Sequence, residues 1–285
     1  NIDCLIHAAG PFYHDPTLLV QACVKRSIHY IDIAESDWFI KKVHEACDRL
    51  TPCSVAVVSG CSTVPGLVSC LSQHFTSRGD ISYFDVLLNL GSNNPLSHGL
   101  CFSLLRPVGA KEPKGRGHWF RRLSRVEHLD GNVRHYGNYP IPFNDTIVIG
   151  NQKIPIKFAV GFDRVYMNYG LFLVSFVLPH IPNGMLHHLC RLILPVGKLV
   201  AKLGTTEGRL SLIAADEKGE IQQSLEVSAI DNGLDIPAIT TIWAARRLLF
   251  DCTTSGCVGL EQLVSSSEAI TQLKLLGYQL DESEL

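Results

Sequence analysis

Apolar and polar positions follow two rhythms along the chain. Over the first third, short and nearly continuous apolar runs alternate with segments whose apolar residues recur every three or four positions. The first rhythm predicts strands buried on both faces and the second predicts helices. Asp3–Ala9 reads as a strand that stops at Gly10-Pro11. Thr17–Arg26 reads as a helix, with Leu18, Leu19, Ala22 and Cys23 on its apolar stripe and Pro16 at its start, where a missing N–H costs nothing. His29–Ile33 is a short strand, and Ser36 or Asp37 can cap a helix running to about Leu50. Ser54–Val58 is a third strand, Gly60–Pro65 a loop and Gly66–Phe75 a helix. Strands joined by helices, without clean polar alternation, predict a parallel sheet covered on both faces.

The rhythm then changes. Ile81–Leu90 predicts a strand, Asn93-Asn94-Pro95 a turn and Leu96–Leu105 a short helix. Lys111–Tyr139 is rich in Gly, Arg and aromatics and has weak periodicity. Lys153–Val160 and Leu210–Ala214 read as strands, the second pairing with Glu220–Ser228 through the turn at Asp216–Gly219. This is the pattern of a mainly antiparallel sheet. Ile236–Phe250 and Glu261–Leu276 read as closing helices, with Gly277 as the C-terminal cap of the last. The fold class is thus α/β: a parallel sheet over residues 1–76, a second α+β domain with a mainly antiparallel sheet over 77–235, and closing helices over 236–285.

Tyr166–Leu203 is the most apolar stretch, yet Pro179, Pro182 and Gly184 interrupt it short of the roughly 18 to 20 clean apolar residues a membrane span requires. Leu186, Leu189, Ile193 and Val196 recur at helical spacing, with Arg191, Lys198 and Lys202 among them. Three fates suit residues 171–203: a buried helix pair, a contact between copies of the chain, or a peripheral membrane face.

Composition narrows the class. Of 285 residues, 46% are hydrophobic and 18% charged, which excludes a disordered chain. The net charge of -2 gives no global attraction to nucleic acid. Ten cysteines include no C-x-x-C pair and lie mostly in apolar runs, as reduced thiols of a cytoplasmic protein do, with a Cys252–Cys257 disulfide as the alternative. The Asn144-Asp145-Thr146 sequon is short enough to arise by chance. No charged segment precedes an apolar one at the start, so no signal peptide is visible. Because the chain opens on what reads as a core strand, Asp3–Ala9, further chain is expected upstream. His187 and His188 are adjacent, outside any H-E-x-x-H, and the cysteines lack zinc spacing, so no metal site is expected. No G-x-S-x-G elbow marks a hydrolase.

Three N-terminal segments resemble the saccharopine dehydrogenase-like family of NAD(P)-linked oxidoreductases. They are His7-Ala8-Ala9-Gly10-Pro11-Phe12, Leu19-Val20-Gln21-Ala22-Cys23 and His29-Tyr30-Ile31-Asp32-Ile33-Ala34-Glu35. Gly60–Gly66 is similar to the family's G-x-x-x-x-P loop, and Ile239–Phe250 and Gly256–Tyr278 to its closing helices. The centre matches loosely, at Gly137–Pro140 and Gly204–Gly208. The resemblance implies hydride transfer to or from a small-molecule metabolite, with NAD or NADP as cofactor of the full-length protein. The sequence departs from it in holding no G-x-G-x-x-G, the loop that cradles the pyrophosphate. The resemblance thus implies that residues 1–76 are the later half of an incomplete Rossmann-like dinucleotide domain, 77–235 a substrate-side domain and 236–285 helices returning to the first, and weak or absent cofactor binding is expected of this chain alone. The alternative is a non-catalytic interaction protein that retains the scaffold.

Strand carboxyl ends open on the ligand crevice of a parallel sheet. That rule, with the resemblance, makes Ala9, Gly10, Pro11 and Phe12 cofactor candidates, the small residues allowing backbone approach and Phe12 forming a wall. Cys61, Ser62 and Pro65 are candidates at a neighbouring strand end. Asp32 and Glu35 stand at another, where a carboxylate could hold a ribose hydroxyl, orient a substrate amine or cap the next helix. His14 could donate to a substrate or stand in solvent, and His29 reads as a strand-edge packing residue. Arg134, Tyr136 and Tyr139 could clamp a carboxylate or be solvated and packed. Arg116, Arg121, Arg122 and Arg125 could bind a phosphate group or form a charged surface. No catalytic residue is assigned.

Overall fold

The computed structural model describes residues 2–50, 52–75, 81–113, 117–141, 146–149, 152–231, 233–251 and 254–284. In chain order its elements are β1 (Cys4–His7), α1 (Thr17–Lys25), β2 (His29–Asp32), α2 (Asp37–Asp48), β3 (Ala56–Val58), α3 (Val68–Ser72), β4 (Tyr83–Leu90) and α4 (His98–Leu105). There follow β5 (Leu123–Glu127), β6 (Val133–Asn138), β7 (Thr146–Ile149), β8 (Gln152–Phe162), α5 (Val165–Val174), α6 (Asn183–Ala201), β9 (Gly208–Ala215) and β10 (Ile221–Ala229). The chain closes with α7 (Ile236–Arg246), β11 (Gly256–Cys257), α8 (Leu260–Leu263), α9 (Ser266–Leu275) and β12 (Gln279–Glu284).

The chain divides into two compact units. The first contains Asn1–Arg78, Ile141–Ile154 and Asp235–Leu275. Its sheet has the order β1-β2-β3-β11, with every pair parallel. Side chains alternate across it. Tyr30 and Val57 share one core with Val20, Cys23, Phe39 and Val43 of α1 and α2. Ile31, Ala56 and Val58 point to the other face and are also buried. Burial on both faces is why these strands read as unbroken apolar runs. The β1 edge carries no partner strand among the described residues, and Ile6 there is half exposed.

The helix starts differ in detail from the sequence reading. Pro16 is the N-cap of α1, and Asp15 ahead of it accepts from Thr17 N at 2.9 Å. Ser36 stands at the N-cap of α2 in an extended conformation without a side-chain cap bond. The helix expected over Gly66–Phe75 begins as a wider turn at Thr63–Leu67 and continues as α3.

The second unit contains Gly79–Pro140, Pro155–Leu234 and Leu276–Leu285. Its sheet runs β12-β10-β9-β4-β8-β6-β5, with β7 pairing β8 off this path. Only β4 and β8 pair in parallel among the registers that define it, so it is mainly antiparallel. Residues after Leu275 thus return as β12 against β10, beyond a left-handed turn at Gly277 (φ +87°). One face of this sheet is apolar, through Phe84, Val86, Leu210, Leu212, Leu225 and Val227, all buried. The opposite face carries a buried polar network. Glu226 accepts from His128 Nδ1 at 2.7 Å, from Ser211 Oγ at 2.9 Å and from Arg209. His128 Nε2 lies 2.7 Å from the Tyr136 hydroxyl, and Arg209 also bonds Asp130 at 2.6 Å.

The segment expected to be a buried helix pair is α5 and α6, joined by a 3₁₀ turn at Leu178–His180. Leu171, Leu186 and Cys190 are buried, but Leu173, Phe176, Met185, Leu192 and Leu199 are exposed. Burial of the pair is therefore one-sided. Among the described residues no helix is long and apolar enough to cross a membrane.

Candidate functional site

Parallel pairing brings the carboxyl ends of β1, β2 and β3 to one edge of the first unit's sheet. Three loops leave that edge, at Ala8–Phe12, Ile33–Ser36 and Ser59–Pro65. Asp32, the fully buried last residue of β2, ties two of them together. Its Oδ1 accepts from Ala34 N and Gly60 N at 2.9 Å each, its Oδ2 from Ser59 Oγ at 2.7 Å, and its backbone carbonyl from Cys61 N at 2.7 Å. Burial raises the Asp32 carboxyl, and the Gly60 and Ala34 amides and the Ser59 and Tyr30 hydroxyls oppose that rise.

The polar chain continues into β1. Tyr30 donates to Asp32, and the His7 Nδ1 lies 3.0 Å from the Tyr30 hydroxyl. The His7 ring packs edge-on against Phe12 and His14, at centroid distances of 5.4 and 5.2 Å. Phe12 in turn packs edge-on against Phe39 at 5.0 Å. Burial, then the neighbouring His14, lowers the His7 pKa, while Asp32 works the other way. His29 accepts from Ala56 N at 3.1 Å, so it bridges strands instead of facing a ligand.

The eight cofactor candidates fall into two groups. Ala9 and Gly10 are exposed, Pro11 and Phe12 half-buried, and Glu35 exposed. Cys61, Ser62 and Pro65 are buried. The Cys61 carbonyl accepts from the hydroxyls of Thr240 and Thr241 on α7, at 2.8 and 3.2 Å. Ser62 Oγ donates to Val64 O at 2.6 Å, and burial pushes the Cys61 thiol well up. Gly60 has φ +81°, and a Cβ there would stand 2.8 Å from Pro65 Cγ. The loop is thus a tightly folded support, and the accessible atoms at this edge belong to Ala8–Gly10, His14 and Glu35. Glu35 has the chemistry: burial of its carboxyl raises its pKa to about 7, against the pull of the Ser62 hydroxyl. The residue as a whole is exposed, and a carboxyl raised this far can exchange a proton near neutral pH.

Sequence reasoning named Glu35 and the Gly10 loop as candidates and missed the tie through Ser59, Tyr30 and His7. The His29–Glu35 motif contained its signal, since Tyr30 and Asp32 alternate onto one face.

In the second unit, the carboxylate-clamp candidates are engaged. Arg134 donates to Asn89 Oδ1 at 2.8 Å and to Glu207 Oε2 at 3.2 Å. Tyr136 is fully buried on His128, and the Tyr139 hydroxyl donates to Leu104 O at 2.9 Å. Arg121 donates to Ser175 O and lies over the Phe176 ring, while Arg122 pairs with Glu112. Arg125 is exposed on β5, and Arg116 lies outside the described residues. So do Cys252 and Asn144, with the disulfide and sequon readings that need them. Among the described residues no group of three or more His, Cys, Asp or Glu could hold a metal ion.

No protein-family model matches the chain, and no curated protein does. Solved structures do. One is a dehydrogenase (MviM) from Clostridium difficile, 8% identical, with a TM-score of 0.36 over 96% of this chain and 78% of that one. Another is a dehydrogenase from Chromobacterium violaceum, 7% identical, with a TM-score of 0.32 over 81% of this chain and 56% of that one. Identities this low concern backbone arrangement alone.

Proposed function

We propose that the chain is part of an NAD(P)-dependent oxidoreductase of the saccharopine dehydrogenase-like type, moving a hydride between nicotinamide and a small-molecule metabolite in the cytoplasm. The observation that carries this reading is the accessible edge of the parallel sheet, where exposed Ala9 and Gly10 stand with a carboxyl titrating near neutrality. When bound, the cofactor supplies the hydride chemistry. The residues supply position. Ala9 and Gly10 let the cofactor approach the backbone, Pro11 sets the turn, and Phe12 walls the site. Glu35 accepts from a ribose hydroxyl. Cys61, Ser62 and Pro65 act from behind, holding the loop that supports this edge.

No G-x-G-x-x-G lies within these residues, so the edge offers ribose and nicotinamide contacts without a phosphate cradle. Calorimetric titration of the chain with NADH and NADPH tests this. Dissociation constants of about 1 mM or weaker are expected. Micromolar binding would mean that a phosphate site lies elsewhere in the chain.

A further inference from the structure

The outer face of α6 has no role in the reading above. Leu186 and Cys190, four residues apart, are buried and mark its inner face, which packs on α4. Met185, Leu192 and Leu199 recur every seven residues on the opposite side, with 54%, 72% and 69% of their surface exposed. Leu203, just past the helix, is exposed too. A globular helix normally turns charge outward at these positions. Here the apolar stripe faces water, and Arg191 and His188, both exposed, border it.

Charge selects what covers such a face. From Val165 to Thr206 the sequence contains no Asp or Glu, and it carries Arg191, Lys198, Lys202 and three histidines. A second copy docked face to face would set cations against cations, with no carboxylate on the segment to pair them. A shallow, open depression of about 470 Å³ shares Arg191 with the border of the stripe and is lined also by His98, Leu194 and Pro195. The preceding helix, α5, exposes Tyr166 and Tyr169, whose rings join an apolar body to a polar tip as interfacial residues do. Apolar side chains opposite the packed face, a one-signed border and an open basic depression are the features of a helix lying in a lipid headgroup layer.

We infer that α6 is a docking surface for an anionic lipid membrane. Met185, Leu192 and Leu199 enter the acyl boundary, while Arg191 and Lys202 meet lipid phosphates and carboxylates. The helix lies in the plane of the interface.

The test is cosedimentation of the full chain with phosphatidylcholine vesicles, with and without phosphatidylserine. Binding is expected to the phosphatidylserine vesicles and to weaken as salt is raised. The double variant L192E/L199E removes it. The milder R191Q/K202Q keeps the apolar stripe and weakens binding on the order of tenfold or more. Both pairs lie on exposed positions or past the helix end, and far-UV circular dichroism checks that each variant folds. Three results would overturn the inference: no binding to phosphatidylserine vesicles at low salt, equal binding to both vesicle types, or binding undiminished in L192E/L199E. A dimer that L192E/L199E converts to monomer, with no lipid binding by either form, would assign the face to a second copy instead.

Discussion

The Asp32 carboxylate accepts a hydrogen bond from Gly60 N at 2.9 Å, fixing the end of β2 to the loop that leaves β3. The same carboxylate holds Ala34 N, Ser59 Oγ and the Tyr30 hydroxyl, so removing it strands four donors. A buried donor left unpaired costs about 1–3 kcal/mol. Asp32→Ala should therefore destabilise the first unit by about 3 kcal/mol or more. Asp32→Asn keeps the Oδ1 acceptor and should cost less than half as much. Urea denaturation of both variants checks the order, and equal losses would contradict the assignment.

Gly60 stands at φ +81°, a region that disfavours any side chain, and its Cβ would press on Pro65. Gly60→Ala should cost about 1–3 kcal/mol. Gly277, also at positive φ but with open space around it, should lose only the smaller conformational amount of roughly 1 kcal/mol on the same substitution. Paired thermal melts would show the difference.

Glu35 gives a pH signature. Its carboxyl titrates at about 7 in the fold against an ordinary value of 4.5. A folded value raised this way favours the fold below pH 4.5, where the carboxyl is protonated in both states, and that advantage disappears as the pH rises through 7. Wild type should lose stability relative to Glu35→Gln between pH 4.5 and 7, and then hold a constant difference. The step should be small, because the residue is exposed. Denaturation curves at half-unit pH intervals would detect it, and parallel profiles would sink the claim.

Glu226 gives the opposite sign. Burial works against its ionisation, but His128, Arg209 and Ser211 hold its pKa below the ordinary value. Stability from this carboxylate is present above about pH 4.5 and is lost as the pH falls through the folded value. Glu226→Gln leaves Arg209 with Asp130 alone and should cost about 3–5 kcal/mol at neutral pH. Wild type should lose that advantage on acidification. A near-ultraviolet signal followed from pH 6 to pH 3 compares the two.

The sequence exposed what apolar runs encode. The strands around Tyr30, Val57, Leu87 and Leu212 were legible because each buries alternate or successive aliphatic residues. The β5–β6 hairpin was not. Its inward positions are Arg134 and Tyr136, which are satisfied by Asn89 and His128 and so give no apolar signal. β12 was also hidden, since Gln279–Glu284 holds to β10 chiefly through its backbone, with Ser283 bonding Ser224 at 2.7 Å. At the candidate site, the strand-end positions of Gly10 and Glu35 were legible from the order of strands and helices. The route from His7 through Tyr30 to Asp32 required the parallel register, which places His7 beside Asp32 across 25 residues of sequence. In α6, helical spacing was clear, but spacing alone did not say which side the core takes.

The central claim is that the strand edge at Gly10 and Glu35 receives the nicotinamide cofactor. Amide chemical-shift mapping during titration with NADH to millimolar concentration tests it most directly. The account predicts shifts that saturate together and cluster at residues 8–12 and 33–36, with smaller ones at 59–62, and their loss in a Gly10→Val variant that still folds. Shifts absent at these residues, or concentrated instead on the β5–β6 hairpin, would contradict it.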